Sequence, residues 1–451
     1  MAGLNNSIFD LPSSIEELRQ PEEVIKVQTR KVNPTSSSKL GAFPGSDIIF
    51  NFTLSGNQHW IPSRSYVVIR NSLFFGIGGV ATQPVLASNV APSCNMPGNL
   101  FNGCSLTVGS FSLGSISQNA SQISACQKRL QKSAGYLDGA GKSISFFQPR
   151  QLDRKAEVCS NGIDTRLTIA TPTARCNQNE SIYQPPLGIF KQGKALGNGR
   201  YELTLSPKSD IIYKQSAIES TGADIVVNSG TVAAGAALTN GEAEFQVNDI
   251  VFYVCVVDNF ERNPSKYSVV LDLEETNVIP RDIAGGAAST ENYTVSKSTF
   301  ALSCALQDKR AGTNTLYSPS AFKTEADSQN SLTNLQISYA GENRPSPAAQ
   351  PAFAAPVDHM THRYLETGIE DLALYDTGGM LTKEQWRELG ELYHFQWRKS
   401  GDDISTNVDV STTYGAFTNG PHRLLLFHHY RRIIEYTVEN GQVTSFLAQD
   451  A

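Results

Sequence analysis

Runs of β-branched and aromatic residues in period-two alternation, punctuated by turn residues, recur from one end of this 451-residue chain to the other. Ile48, Phe50 and Phe52 alternate with Ile49, Asn51 and Thr53, and after the turn Ser55-Gly56-Asn57 a long run extends from Tyr66 to Phe75. Successive side chains of a strand point to opposite faces, so such runs bury one face and can be satisfied only inside packed sheets. Further runs of this kind are Val24 to Val27, Leu106 to Val108, Leu167 to Ala170, Tyr201 to Leu205, Phe245 to Val257 and Tyr267 to Leu273. Later come Phe300 to Leu306, Leu335 to Tyr339, Leu424 to Tyr436 and Val443 to Phe446, the last two joined by Glu439-Asn440-Gly441-Gln442. Asn-Gly is a strong hairpin signal, because both residues tolerate the positive φ of a type I′ turn. With 35 Gly and 21 Pro, many of them between the runs, and only 18% charged residues, the chain reads as all-β.

Two segments read as helices. Ser115 to Lys132 places Ile116, Ala120, Ile123 and Leu130 on one stripe, and Thr382 to Lys399 begins with a capping box of Thr382 and Gln385. Trp386, Leu389, Tyr393 and Trp397 then follow at helical spacing as a core stripe. Turn-rich insertions lie at about 76–97, 135–199, 216–241 and 343–356; structureless loops of that length usually do something at a surface. A strand ending in Gly at Leu106-Thr107-Val108-Gly109, with a helical segment after it, is echoed at Leu335 to Gly341. Two β domains of one plan would account for the length.

Charge and composition exclude several classes. The net charge of -6, without a basic tail, disfavours unaided coating of nucleic acid or of an anionic membrane. No window approaches about 18 consecutive apolar residues, and the N-terminus lacks a basic start followed by an apolar stretch. Neither a transmembrane segment nor a signal peptide is expected, and synthesis in the cytoplasm is. Cys94, Cys104, Cys126, Cys159, Cys176, Cys255 and Cys304 form no CxxC pair and read as reduced, mostly buried thiols.

No catalytic, cofactor-binding or metal-binding residue is expected. Asp138-Gly139-Ala140-Gly141-Lys142-Ser143 has the tail of a phosphate loop, but Tyr136 stands where its first Gly is needed. Asp376-Thr377-Gly378 has no second triplet to share a proton with. His359 and His362 lack a third ligand at short range, and His428-His429 lies in a strand-like run that sends its rings to opposite faces. The sequons at Asn51 and Asn292 carry no weight without secretion.

The order of these segments resembles the double jelly-roll major capsid proteins of the tailless bacteriophage–adenovirus lineage, in particular those of polintons, polinton-like viruses and adintoviruses. Gly45 to Phe52 followed by Trp60-Ile61-Pro62-Ser63-Arg64-Ser65-Tyr66 and the strand to Arg70 is similar to the family's opening. Leu100 to Ser110 resembles its strand, Gly, helix unit, and Tyr201 to Leu205 with Phe245 to Val254 the close of a first barrel. Ser298 to Gln307, Ser318 to Phe322 and Leu335 to Pro345 resemble a second barrel, with Phe427 to Tyr436 and the Asn-Gly hairpin as its terminal strands.

The resemblance implies an all-β chain of two tandem eight-stranded jelly-roll β-sandwich domains, with long loop insertions and a few short helices. Its expected divisions are an N-terminal arm over 1–22, a first jelly roll with tower-like insertions over 23–262 and a second over 263–451. It further implies a structural capsid protein of the virion and no enzyme. Self-assembly is expected into homotrimeric, hexon-like capsomers of pseudo-hexagonal outline that tile an icosahedral capsid. Its partners would be neighbouring capsomers, penton and minor capsid proteins, and an inner membrane or host receptor, with no sequence-specific nucleic-acid contact and no cofactor. The alternative is a jelly-roll carbohydrate-binding or spike protein, or a minor capsid protein.

Overall fold

The computed structural model describes residues 26–35, 46–77, 80–82, 90–92, 95–132, 135–136, 141, 179–208, 213–215, 243–258, 265–283, 288–308, 322, 332–349, 392–397, 406–414 and 422–450. The first half holds β1 Lys26–Val32, β2 Ile48–Leu54, β3 Gln58–Trp60, β4 Tyr66–Ile77, β5 Val80–Thr82 and β6 Val90–Pro92, then β7 Phe101–Val108, β8 Phe111–Ile116, β9 Asn179–Tyr183, β10 Gly199–Pro207, β11 Tyr213–Gln215 and β12 Ala243–Asp258. The helices α1 Met96–Asn99 and α2 Ala120–Gln131 interrupt it. The second half holds β13 Lys266–Ile283, β14 Ala288–Thr294, β15 Thr299–Asp308, β16 Leu332–Tyr339, β17 Glu342–Ala349, β18 Tyr393–Gln396, β19 Asn407–Tyr414, β20 His422–Glu439 and β21 Gln442–Asp450.

The pairing is the same in both halves. In the first, β1-β12-β4-β9 form one sheet and β2-β10-β7-β8 the other. Counted along the chain as eight strands, the orders are 1-8-3-6 and 2-7-4-5, the Greek-key winding of a jelly roll. The second half repeats it with β13-β20-β15-β18 and β14-β19-β16-β17. The fold is therefore two jelly rolls in tandem, as expected. Additions are small: β3 on β12, β5 on β4, a β6–β11 ribbon, and β21 on β20.

The Asn-Gly turn forms as read, with Asn440 at φ 52 and Gly441 at φ 80. The second echo segment makes the same turn, Ala340 at φ 53 and Gly341 at φ 78, and leads into strand β17. The echo is thus strand, tight turn, strand in both halves. In the first half β8 intervenes before any helix, so α2 starts at Ala120 and Ser115 and Ile116 belong to a strand.

The helix expected over Thr382 to Lys399 is corrected at its C-terminal end, where Tyr393–Gln396 is strand β18, paired with β15. Tyr393, Phe395 and Trp397 alternate at period two and all three pack in the second core. Tyr393 and Trp397, four apart, fit both periods, and pairing with β15 decides for the strand. The expected loops at 76–97, 135–199 and 343–356 contain β5, β6, β9 and β17. Leu167 to Ala170 and 216–241 lie outside the described residues.

Two cores are formed. One is enclosed by the second jelly roll and includes Leu302, Cys304, Leu335, Ile337, Tyr339, Val408, Val410, Leu424 and Leu426. The other begins in the first jelly roll and runs without a break into the second, taking in Val269, Leu271, Leu273, Phe427, Ile434 and Tyr436. Its centre is aromatic: Trp60 lies edge-on to Phe52 at 5.1 Å and to Phe190 at 5.9 Å, and Tyr201 stacks on Phe52 at 5.3 Å.

Candidate functional site at the seam between the barrels

The shared core holds the two barrels together along a seam between them. Two devices build it, behind a first that lies wholly within the first barrel: the turn Pro62-Ser63-Arg64-Ser65, a 3-10 turn ahead of β4. The buried Ser65 hydroxyl accepts the Trp60 indole N–H at 2.8 Å and the Cys255 backbone N–H at 3.0 Å, and donates to the Ile61 carbonyl at 2.9 Å. One hydroxyl thereby pins β4, β12 and the central Trp, which gives the Pro-Ser-x-Ser-Tyr opening its physical reason.

The second device is the ribbon formed by β13, β20 and β21. Tyr267, Val269, Leu271 and Leu273 alternate on one face of β13 and pack into the core of the first barrel. Phe446 of β21 stacks on Phe111 of β8 at 5.0 Å, and the Tyr267 hydroxyl donates to the Asn198 carbonyl at 3.4 Å. The approach is close at Gly188, where an added Cβ would stand 2.7 Å from the Glu274 carbonyl oxygen. The Gly188 N–H donates to the buried Glu275 carboxylate at 3.1 Å. Burial raises that carboxyl above its ordinary 4.5, while Gly188 and the nearby charges of Lys191 and Arg432 pull it back. Lys191 in turn is lowered to about 8 by burial, opposed chiefly by Glu275.

The third device is polar. Ser303 lies on the face of β15 that carries Ala305 and, across the ladder, Phe427. Its hydroxyl lies 2.8 Å from His394 Nδ1 and 2.9 Å from His429 Nε2, and the Thr276 hydroxyl lies 3.0 Å from His429 Nδ1. Cys126 of α2 reaches Ser303 from the other barrel, its thiol pushed up to about 12 by burial. Arg129 of the same helix covers the Phe322 ring at 4.5 Å. Burial lowers His394 to about 4 and His429 well below its ordinary value, with His394, Lys191 and His428 adding repulsion. Both rings are therefore neutral at pH 7. Although Ser303 touches two imidazoles, it is fully buried and no substrate can approach it, so the cluster serves packing and register.

His428 and His429 sit on opposite faces of β20, His428 stacked on Tyr430 at 5.3 Å. Cys104, Cys126, Cys255 and Cys304 are buried free thiols, with Cys304 pushed up to about 12; Cys94, Cys159 and Cys176 lie outside the described residues. Among the described residues no three His, Cys, Asp or Glu side chains converge as a metal site. His359, His362 and Asp376 lie outside the described residues, as do residues 138–143 except Gly141, which is helical. Sequence reasoning missed the seam cluster: Ser303, His394 and His429 meet only through pairing of distant strands.

No protein-family model matches the sequence, and no curated protein matches it. Solved structures do. A chain of the cryo-EM structure of the Sputnik virophage aligns with a TM-score of 0.58 at 13% identity, covering 94% of this chain and 88% of that one. The mavirus major capsid protein aligns with a TM-score of 0.54 at 9% identity, covering 94% and 90%. A structure of PBCV-1 VP54 fitted into a reconstruction of the virophage Sputnik aligns with a TM-score of 0.52 at 10% identity, covering 96% and 98%. At such identities the likeness is one of fold, and it runs through both barrels.

Proposed function

We propose that the protein is a structural major capsid protein of an icosahedral virus. Three copies, each with two barrels of one winding, close into a ring of six barrels whose outline is pseudo-hexagonal. Such rings tile the facets of a shell, and the protein's place is the virion. The observation that carries this reading is the exact repetition of the eight-strand winding in one chain, locked by a core that crosses the seam. A single jelly roll would need six identical copies for the same outline. Two fused barrels need three and can differ from each other in their loops. The likeness to the mavirus major capsid protein over nearly the whole chain supports the same role.

The chain is divided into an arm over 1–22, a first barrel to residue 262 and a second from 263. Penton and minor capsid proteins are its further partners in the shell. The net charge of -6 fits a shell-former that leaves the genome to other components. The buried Ser303 cluster and the raised thiols fit a scaffold and no enzyme.

Negative-stain microscopy of the purified protein tests the reading. Hexagonal particles with three-fold symmetry, and sheets or shells of them on concentration, are expected. Isolated single chains that bind sugars on a glycan array would instead favour the carbohydrate-binding alternative.

A further inference from the structure

Two imidazoles meet on one hydroxyl where the barrels touch. Ser303 of β15 lies 2.8 Å from His394 Nδ1 of β18 and 2.9 Å from His429 Nε2 of β20, and Thr276 of β13 lies 3.0 Å from His429 Nδ1. The rings stand edge to face with their centroids 5.4 Å apart. Cys126 of α2 comes to the same hydroxyl from the first barrel. His394 and His429 are buried but not sealed, at 4% and 7% exposure, enough for a proton to arrive from solvent.

Counting hydrogens shows what this arrangement tolerates. With both rings neutral a closed chain runs from the Thr276 hydroxyl to His429 Nδ1, from His429 Nε2–H to Ser303, and from the Ser303 hydroxyl to His394 Nδ1. With both rings protonated, three N–H groups point at two hydroxyls and the Ser303 proton has no ring nitrogen left to accept it. Two positive rings then face each other out of water.

The surroundings do not compensate. Among the described residues no carboxylate acts on either ring. Lys191 and His428 add positive charge at His429, and Lys191 and Arg129 add it at Cys126. Glu275, one residue before Thr276 on β13, is taken up by the Gly188 N–H and Lys191, and Glu274 and Lys132 act on Lys191 with opposite signs. Burial raises the Glu275 carboxyl, so acidification removes its charge early and leaves Lys191 with less to offset it.

We propose that the seam is an acid-sensitive joint: protonation of both rings parts α2 of the first barrel from the β15–β18–β20 face of the second, while each barrel keeps its own winding. The joint works within one chain and does not depend on how copies assemble. A ring that takes its proton only when the seam is open multiplies the open population about tenfold for each pH unit below its ordinary 6.5. Leu302, Cys304 and Phe395 point from the same strands into the second core and do not line the seam.

Two buried thiols report on the joint. The full-length protein is pulsed at pH 7.5 and pH 4.5 with dithiodipyridine, which reacts with thiols in acid, and labelled cysteines are mapped by mass spectrometry. Relative to a free-cysteine standard, Cys126 is expected to react at least about tenfold faster at pH 4.5, while Cys304 stays protected and far-ultraviolet dichroism is unchanged. In His394→Gln/His429→Gln the acid enhancement should shrink to about twofold or less. Three results each overturn the proposal: Cys126 equally protected at both pH values, Cys126 and Cys304 labelled together in acid, or an undiminished enhancement in the double variant. If the double variant exposes Cys304 already at pH 7.5, and so has lost its fold, His394→Gln alone decides. Its enhancement should lie below that of the wild type, and an equal one overturns the joint.

Discussion

Ser65 and Ser303 show how much single hydroxyls decide in this fold. Removing the first, in Ser65→Ala, leaves the Trp60 indole N–H and the Cys255 N–H buried without an acceptor. A loss of about 2–4 kcal/mol is expected from two such orphaned donors, read as a lower midpoint in urea. The cluster around Ser303 makes stability depend on pH. His394 falls from 6.5 to about 4 on burial, so in that window the unfolded chain binds more protons than the folded one. Stability is then complete above pH 6.5 and declines as pH falls toward 4, by on the order of 3 kcal/mol from this ring. Glu275 acts with the opposite sign, because its raised carboxyl holds a proton better when folded. Melting temperatures between pH 7.5 and 4 should fall on acidification, and fall less steeply in His394→Gln. A profile identical to wild type would show that the ring does not titrate as placed. From the sequence, the strand alternation placed His428 and His429 on opposite faces. The meeting of His429 and His394 at Ser303 was not legible, since Ser303 lies 126 positions from His429 and 91 from His394.

At the scale of elements, the strands that were legible are those buried on at least one face, such as β4, β10, β12, β13 and β20. Those that escaped are polar or lie at sheet margins. β14 reads Ala-Ser-Thr-Glu-Asn-Tyr-Thr, and β17 contains Pro345 and Pro347, which cannot donate to a ladder and are tolerated because, among the described residues, β17 pairs on one side only. β18 hid in a helical spacing because Tyr393 and the adjoining Trp397, four apart, fit both periods. The Asn440-Gly441 turn was legible because both residues tolerate positive φ, whereas the turns at Gly109 and Gly341 lack that dipeptide and were read as leading into helices. Gly441, at φ 80, has no neighbour within 4 Å of an added Cβ, so Gly441→Ala isolates backbone strain from crowding. It should cost about 1–2 kcal/mol in denaturant titration, and a neutral effect would mean that the turn relaxes to another type.

For the whole molecule, the repeat of plan was legible as an echo, but the seam was not. Alternation says which face of β13 is apolar; it does not say that this face belongs to the other barrel. Because that core runs from Phe50 through Leu271 to Tyr436, the two barrels are expected to unfold together. Calorimetry should give one transition, with the first half expressed alone unstable, and two well-separated transitions would contradict a shared core.

The most direct test of the whole account is the mass of the purified protein in solution, measured by light scattering behind a sizing column. Two fused barrels suited to a six-barrel ring predict a particle near three times 49.0 kDa at micromolar concentration. A single chain of 49.0 kDa that persists at every concentration would contradict it.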